Sequence, residues 1–261
     1  MRSAVSRHPA LRYLQIIPVG LVLWGLDVVD KFRSGAALAG LGHAVVINAI
    51  SLRLGGGFAD QMNDWLAVHP GAATVAAWYY VAVQAAVTAI VGLLLIWRRV
   101  PAFRLHRNAL IACNVIGLVV FWLYPVAPPR MLPGYHDVTA AAVPLFSSLL
   151  EGKAAGQFAS LPSLHVTWAL WVAVAVTALV KHPVLRAAVW LYPALAVVDV
   201  LATANHYWLD VITATGVLAL AYALAASLEL ARRHRIGRWP QRRSAVSRHG
   251  ALCAAGSRSR W

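Results

Sequence analysis

Negative charge is scarce in this chain. Its 261 residues hold nine acidic side chains against 23 lysines and arginines, and charged residues of both signs make up only 12% of the total. A soluble domain carries about a quarter charged residues, so an ordinary soluble globule is excluded. Cysteine is almost missing. Cys113 falls in an apolar run and Cys253 in a basic tail, which excludes a disulfide framework. Two cysteines in separate segments do not make up a zinc ligand set, so no zinc site is expected. Arg2, Arg7 and Arg12 precede the first apolar run, but no small-residue cleavage site follows it. That run therefore reads as a retained span rather than a cleaved signal.

What the chain has in abundance is apolar sequence. It is 60% hydrophobic, with a mean hydropathy of +0.65. Six runs reach the roughly 17–25 residues that a bilayer core requires. They lie near Tyr13–Val29, Gly71–Trp97, Asn108–Val126, Ser163–Val180, Ala187–Ala204 and His206–Leu230. The expected fold is all-α, a polytopic membrane helical bundle with six transmembrane helices. A seventh apolar stretch, Ala36–Leu54, is broken by Gly40, Gly42, His43 and Asn48 and followed by three glycines. It reads as an interfacial or re-entrant helix, with a short amphipathic piece near Asp60–Val68. The domain expectation is a cytoplasmic tail over residues 1–12, a membrane domain over 13–230 and a basic, disordered tail over 231–261.

Charge sets the expected orientation. With six spans and both ends inside, the cytoplasmic side collects 18 of the 23 basic residues, among them nine arginines after Leu230. The positive-inside rule favours that topology, and a seven-span alternative fits it less well. The net charge of +14 is then mostly a topology signal. The tail reads as a segment in contact with anionic lipid. No aromatic-basic fold motif accompanies it, so nucleic acid is not expected as a partner. Arg2-Ser-Ala-Val-Ser-Arg-His8 recurs as Arg243-Ser-Ala-Val-Ser-Arg-His249, for which no physical reason is evident.

Three polar segments interrupt the apolar runs, and under this topology all three fall at the outer face. Tyr124-Pro-Val-Ala-Pro-Pro-Arg130 ends in an arginine whose planar fork suits phosphate oxygens. In Ser160-Leu-Pro-Ser-Leu-His165, Ser160 is the expected N-cap and Pro162 the expected first-turn residue of a helix. The amides around Ser163 and Leu164, backed by the helix dipole and the Ser163 hydroxyl, make an anion site with His165 at its rim. In Ala202-Thr-Ala-Asn-His-Tyr-Trp-Leu-Asp210, His206 and Asp210 stand at i and i+4 on one helix face. Asp210 can hold one imidazole nitrogen of His206 and leave the other free to attack. Asn205 offers a further donor. Taken singly, each residue has a bland reading: an interfacial histidine, a structural aspartate, a snorkelling arginine. Their arrival at one level in one order argues against three coincidences.

The order of these segments resembles the type 2 phosphatidic acid phosphatase superfamily. Their specific forms, with Asn63-Asp-Trp-Leu-Ala-Val-His-Pro70, look most like its inositol phosphorylceramide synthase branch. The resemblance covers roughly residues 60–230. It implies His206 as the nucleophile that forms a phosphohistidine and Asp210 as the group that orients it. His165 would be the acid and then the base, and Arg130, Ser163, Leu164 and Asn205 the phosphate cradle. Histidine does the covalent work, so no metal and no cofactor are called for. The implied partners are a membrane lipid phosphate and either water or an inositol-like alcohol. The implied place is the cell membrane, with the site on the extracytoplasmic face. Two family cations are replaced, by Leu123 and Val200, and Gln84 stands where many members of the branch have histidine. Two other readings remain: a transporter lined with polar residues, and a lipid-binding relative without catalysis.

Overall fold

The computed structural model describes residues 36–98, 102–144 and 157–237. The expected first span, Tyr13–Val29, both copies of the repeated heptapeptide and Cys253 lie outside them. The described chain is all-helical. Its one extended contact is an isolated parallel bridge between Val126 and Ala159.

Among the described residues, eight helices carry the architecture. Helix α1 (Ala36–Arg53) and helix α2 (Phe58–Ala67) meet at 109°, as a broken span or a re-entrant loop does. Gly55, at a φ of +88°, makes the corner between them. Gly56 lies so close to the Ser51 carbonyl and Trp208 that a Cβ there would sit 2.7 Å and 2.9 Å from them. Four helices are long and apolar enough to cross a bilayer: α3 (Pro70–Trp97), α4 (Phe103–Leu123), α7 (Pro183–Ala202) and α8, described over Trp208–Gly237. Helix α5 is a single turn, Val138–Ala142. Helix α6 (Leu164–Thr177) has 14 residues.

The membrane helical bundle is as expected, and the count of six spans is not reached among the described residues, which leave out the expected first span. The described residues contain four, or up to five if the bent pair counts as one. The fourth expected span is the short helix α6, about 21 Å long at 1.5 Å per residue. Its place explains its length. It packs against α3, α4 and α7, and Trp171, Val172 and Ala175 on it are buried in the main apolar cluster with Leu95, Leu110 and Leu218. A helix enclosed by others needs no lipid-facing length of its own, and irregular backbone before it is tolerated where protein covers it. The long helices instead turn apolar side chains outward, among them Val75, Trp97, Leu123, Leu195 and Leu220, as a hydrocarbon solvent allows.

Helix α3 contains one irregularity, a π-helical turn over Tyr79–Val83. The chain divides at Ala225 into two compact units. All site residues lie in the first. In the second, Glu229 pairs with Arg232 at 3.9 Å and with Arg233 at 3.8 Å.

Candidate active site

Backbone hydrogen bonds join the three polar segments. Val126 N–H donates to Phe158 O (2.8 Å) and Ser160 N–H to Val126 O (3.2 Å), so the proline-rich stretch lies beside the stretch that leads into α6. Arg130 N–H donates to Ala204 O (2.9 Å), which adds the third segment. Ser163 N–H donates to Asp210 O (3.3 Å), and Tyr207 Oη donates to Ala127 O (2.9 Å). Burial pushes the Tyr207 phenol up, with the Asp210 charge adding to it, so the donor keeps its proton.

The turn before His206 is a strained helix end. Ala204 has a φ of +52°, in the left-handed region, and is 1% exposed. Val200 O accepts from both Asn205 N–H and His206 N–H at 3.1 Å, which satisfies one of the last carbonyls of α7 as the chain reverses. Strain held by surrounding structure is common where side chains must be aimed.

His206 is 4% exposed and Asp210 fully buried. His206 Nδ1 lies 2.9 Å from Ser160 O and 3.3 Å from Asp210 Oδ2. A carbonyl oxygen only accepts, so Nδ1 carries the proton and Nε2 holds the lone pair. Nε2 has no hydrogen-bond partner among the described residues. Asp210 Oδ2 also accepts from Ser160 Oγ (2.6 Å) and from Tyr207 N–H (2.9 Å). The carboxylate thus caps α8 as well as facing the imidazole.

Ser160 is where the sequence reading needs correction. It is not the N-cap of α6. Ser163 is, in an extended conformation, with its Oγ accepting from Val166 N–H (3.3 Å). Pro162 precedes that cap rather than entering the first turn. The Ser160 hydroxyl instead donates to the Asp210 carboxylate, a charge-assisted hydrogen bond. Sequence reasoning missed Ser160 as a site residue. It holds His206 through its carbonyl and Asp210 through its hydroxyl.

His165 stands one residue past the start of α6. Its ring and that of His206 have centroids 5.8 Å apart, tilted by 57°. Tyr80, from the π turn of α3, stacks on His165 at 4.2 Å and 27°. Trp168 flanks the same ring at 5.6 Å. Sequence reasoning also missed the stacking role of Tyr80. No periodic pattern marks a π turn.

Arg130 is held from two directions. Its Nη1 donates to Asn205 Oδ1, and its Nε lies 3.3 Å from Asp137 Oδ2. Asn205 Nδ2 donates to Thr139 Oγ1 (3.1 Å) and Thr203 Oγ1 (2.8 Å). Asn205 thus sits beside Arg130 as a brace, with its amide protons committed. Leu164 is buried against Gly117, and the Ser163 hydroxyl, occupied as a cap acceptor, keeps its own proton to donate. Asn63 of α2 clasps the Arg130 loop from outside. It donates to His136 O (3.1 Å) and Ala202 O (2.9 Å), and accepts from His136 N–H (2.8 Å). The structure therefore brings His206, Asp210, His165, Asn205 and Arg130 into one cluster, with Ser163 and Leu164 at its base. No group of His, Cys, Asp and Glu among the described residues could hold a metal ion.

The family model of the PAP2 superfamily matches residues 46–224, more than half of the chain and all of this cluster. The chain belongs to the PAP2 superfamily. No curated protein and no solved structure matches it. PAP2 membership supports a lipid-phosphatase type of function, and the apolar helices make this a membrane protein.

Proposed function

We propose that this PAP2 protein cleaves a phosphoester or pyrophosphate bond of a membrane lipid through a phosphohistidine on His206. The observation that carries the reading is the free Nε2 of His206, opposite an Nδ1 held by Ser160 O and Asp210. In the first step Nε2 forms a bond to phosphorus, and the bond from phosphorus to the leaving oxygen breaks. His165, as imidazolium, gives that oxygen its proton. In the second step neutral His165 takes a proton from water or an alcohol. The resulting oxygen attacks phosphorus, the P–N bond breaks and His206 is restored. Arg130, braced by Asn205 and Asp137, neutralises the phosphoryl oxygens. Ser163 and the first amides of α6 supply further donors.

A second reading, transfer to an inositol-like alcohol, is favoured by the burial of His206. A phosphohistidine shielded from bulk water survives until an alcohol arrives. The resemblance to the inositol phosphorylceramide synthase branch points the same way. We further propose a domain over residues 13–230 with both termini cytoplasmic, the site facing outward and the tail over 231–261 lying on anionic lipid. Purified protein in detergent, incubated with a panel of lipid phosphates with and without inositol, tests both readings. Phosphate release supports hydrolysis, and a phospho-inositol lipid supports transfer. Loss of neither activity in His206→Ala would refute the covalent route.

A further inference from the structure

A second polar pair joins the middle of α3 to the last turn of α7, outside the residues of the site cluster. Gln84 of α3 is fully buried and Asp199 of α7 is 7% exposed. Gln84 Nε2 donates to Asp199 Oδ2 across 3.3 Å. An ionisable side chain in a membrane span is costly and marks a functional role by default. None of the ion pairs among the described residues includes Asp199. Its partner is an amide on a neighbouring helix.

Both ends of this pair connect to the site. Gln84 N–H bonds to Tyr79 O and so closes the π turn. Tyr80, inside that turn, stacks on His165. On the other helix, Asp199 O accepts from Thr203 N–H (2.9 Å) and Thr203 Oγ1 (2.7 Å). Thr203 Oγ1 in turn accepts from Asn205, which braces Arg130 beside His206. One side chain bond thus ties the arm that ends at His165 to the arm that ends at His206.

We propose that Gln84 and Asp199 are a positioning pair that locks the π turn of α3 to α7 and so sets the placement of His165 against His206. Neither residue touches substrate. The inference rests on the roles given to the two histidines, and it adds the device that registers them. An apolar contact here would hold the helices together without fixing their register, whereas a directional hydrogen bond between buried groups admits one arrangement.

The test uses the full chain in lipid and a double substitution, Gln84→Leu with Asp199→Leu. Replacing both partners by apolar groups of similar shape is close to neutral for stability. Thermal stability in detergent should therefore stay near wild type. Displacing a catalytic group by about an ångström costs up to about 10²-fold, so kcat should fall at least about tenfold while KM stays within about threefold. Asp199→Asn keeps an acceptor for Gln84 Nε2 and offers a donor to Gln84 Oε1, which has no partner among the described residues. That variant should retain wild-type kcat. If the double variant fails to fold, Gln84→Met against Asp199→Asn decides: the first should lose kcat and the second should not.

A readout independent of turnover separates this inference from the reading of the site. Solid-state NMR of the 15N-histidine-labelled chain gives a His165 signal, assigned by its loss in His165→Ala. That signal should move in Gln84→Leu/Asp199→Leu and stay in place in Asp199→Asn. An unmoved signal in the double variant, or a kcat within twofold of wild type, overturns the positioning role. Activity persisting in His206→Ala would overturn the site reading instead, and the NMR comparison would still decide the pair.

Discussion

The carbonyl oxygen of Ser160 lies 2.9 Å from Nδ1 of His206 and is closer to it than the Asp210 carboxylate is, at 3.3 Å. This ordering divides two tasks. The carbonyl fixes the tautomer, because it can only accept. In the proposed route the carboxylate would stabilise positive charge on the ring once Nε2 is bonded to phosphorus. In triads where a carboxylate alone fixes the tautomer, replacing it by an amide costs about 10⁴-fold.

The expected outcome for Asp210→Asn is therefore milder. The Ser160 carbonyl still holds Nδ1–H, so turnover should fall by only about 10²-fold, the order expected for loss of one stabilising contact. His206→Ala removes the proposed nucleophile and should cost several orders of magnitude more, with membrane insertion intact. Steady-state rates of the two variants on one lipid phosphate check this. Equal losses would return the tautomer to Asp210.

Arg130 spans two partners with two different nitrogens, Nη1 toward Asn205 and Nε toward Asp137. A lysine has one nitrogen and cannot reproduce that fork. Arg130→Lys should be nearly as harmful as Arg130→Ala, each by about 10²-fold or more in kcat/KM. Vanadate, which resembles pentacoordinate phosphorus, should inhibit the wild type and bind both variants weakly. Full activity of the lysine variant would show that charge alone suffices.

These relationships were legible in the sequence to different depths. The i, i+4 pair of His206 and Asp210 follows from helix geometry and needs no tertiary knowledge. The apolar runs locate α3, α4, α7 and α8, because span length and hydropathy are local properties. The corner between α1 and α2 is announced by Gly55, Gly56 and Gly57. The role of Ser160 was hidden, since two serines precede one helix start and the partner of Ser160, Asp210, lies fifty positions away. Tyr80 and the Gln84–Asp199 bond were hidden for a related reason. A π turn carries no composition signal, and a polar residue in a span names no partner until the helices are packed. The shortness of α6 was equally unreadable: the apolar run continues past Thr177, and tertiary enclosure ends the need for length.

Ala204 offers a test of the strained turn. Its left-handed backbone costs about 1–2 kcal/mol for a residue with a Cβ, and glycine would remove that cost while adding about 0.5–1 kcal/mol of backbone entropy loss. Ala204→Gly should therefore change thermal stability little and keep activity. Ala204→Val places a branched side chain at a positive φ in a buried position and should destabilise by at least about 2 kcal/mol. Activity should fall further than stability does, since His206 follows two residues later. Thermal melts in detergent beside initial rates give both quantities. A well-tolerated valine would mean that the turn relaxes without moving His206.

Sidedness can be read from two exposed positions that flank the span helices. Pro133 lies in the loop after Arg130, and Lys181 lies between α6 and α7. The basic residues cluster on the Lys181 side of the sequence pattern, which the positive-inside rule assigns to the cytoplasm. The site would then receive its acceptor from outside, while the lipid's tails stay in the bilayer. Cys113 is buried, so a background with Cys253→Ser should be silent toward a membrane-impermeant thiol reagent. In intact cells Pro133→Cys should label in that background, and Lys181→Cys should label only after the membrane is opened. The opposite pattern would place the histidines on the cytoplasmic face, and the acceptor would then have to be a cytoplasmic molecule.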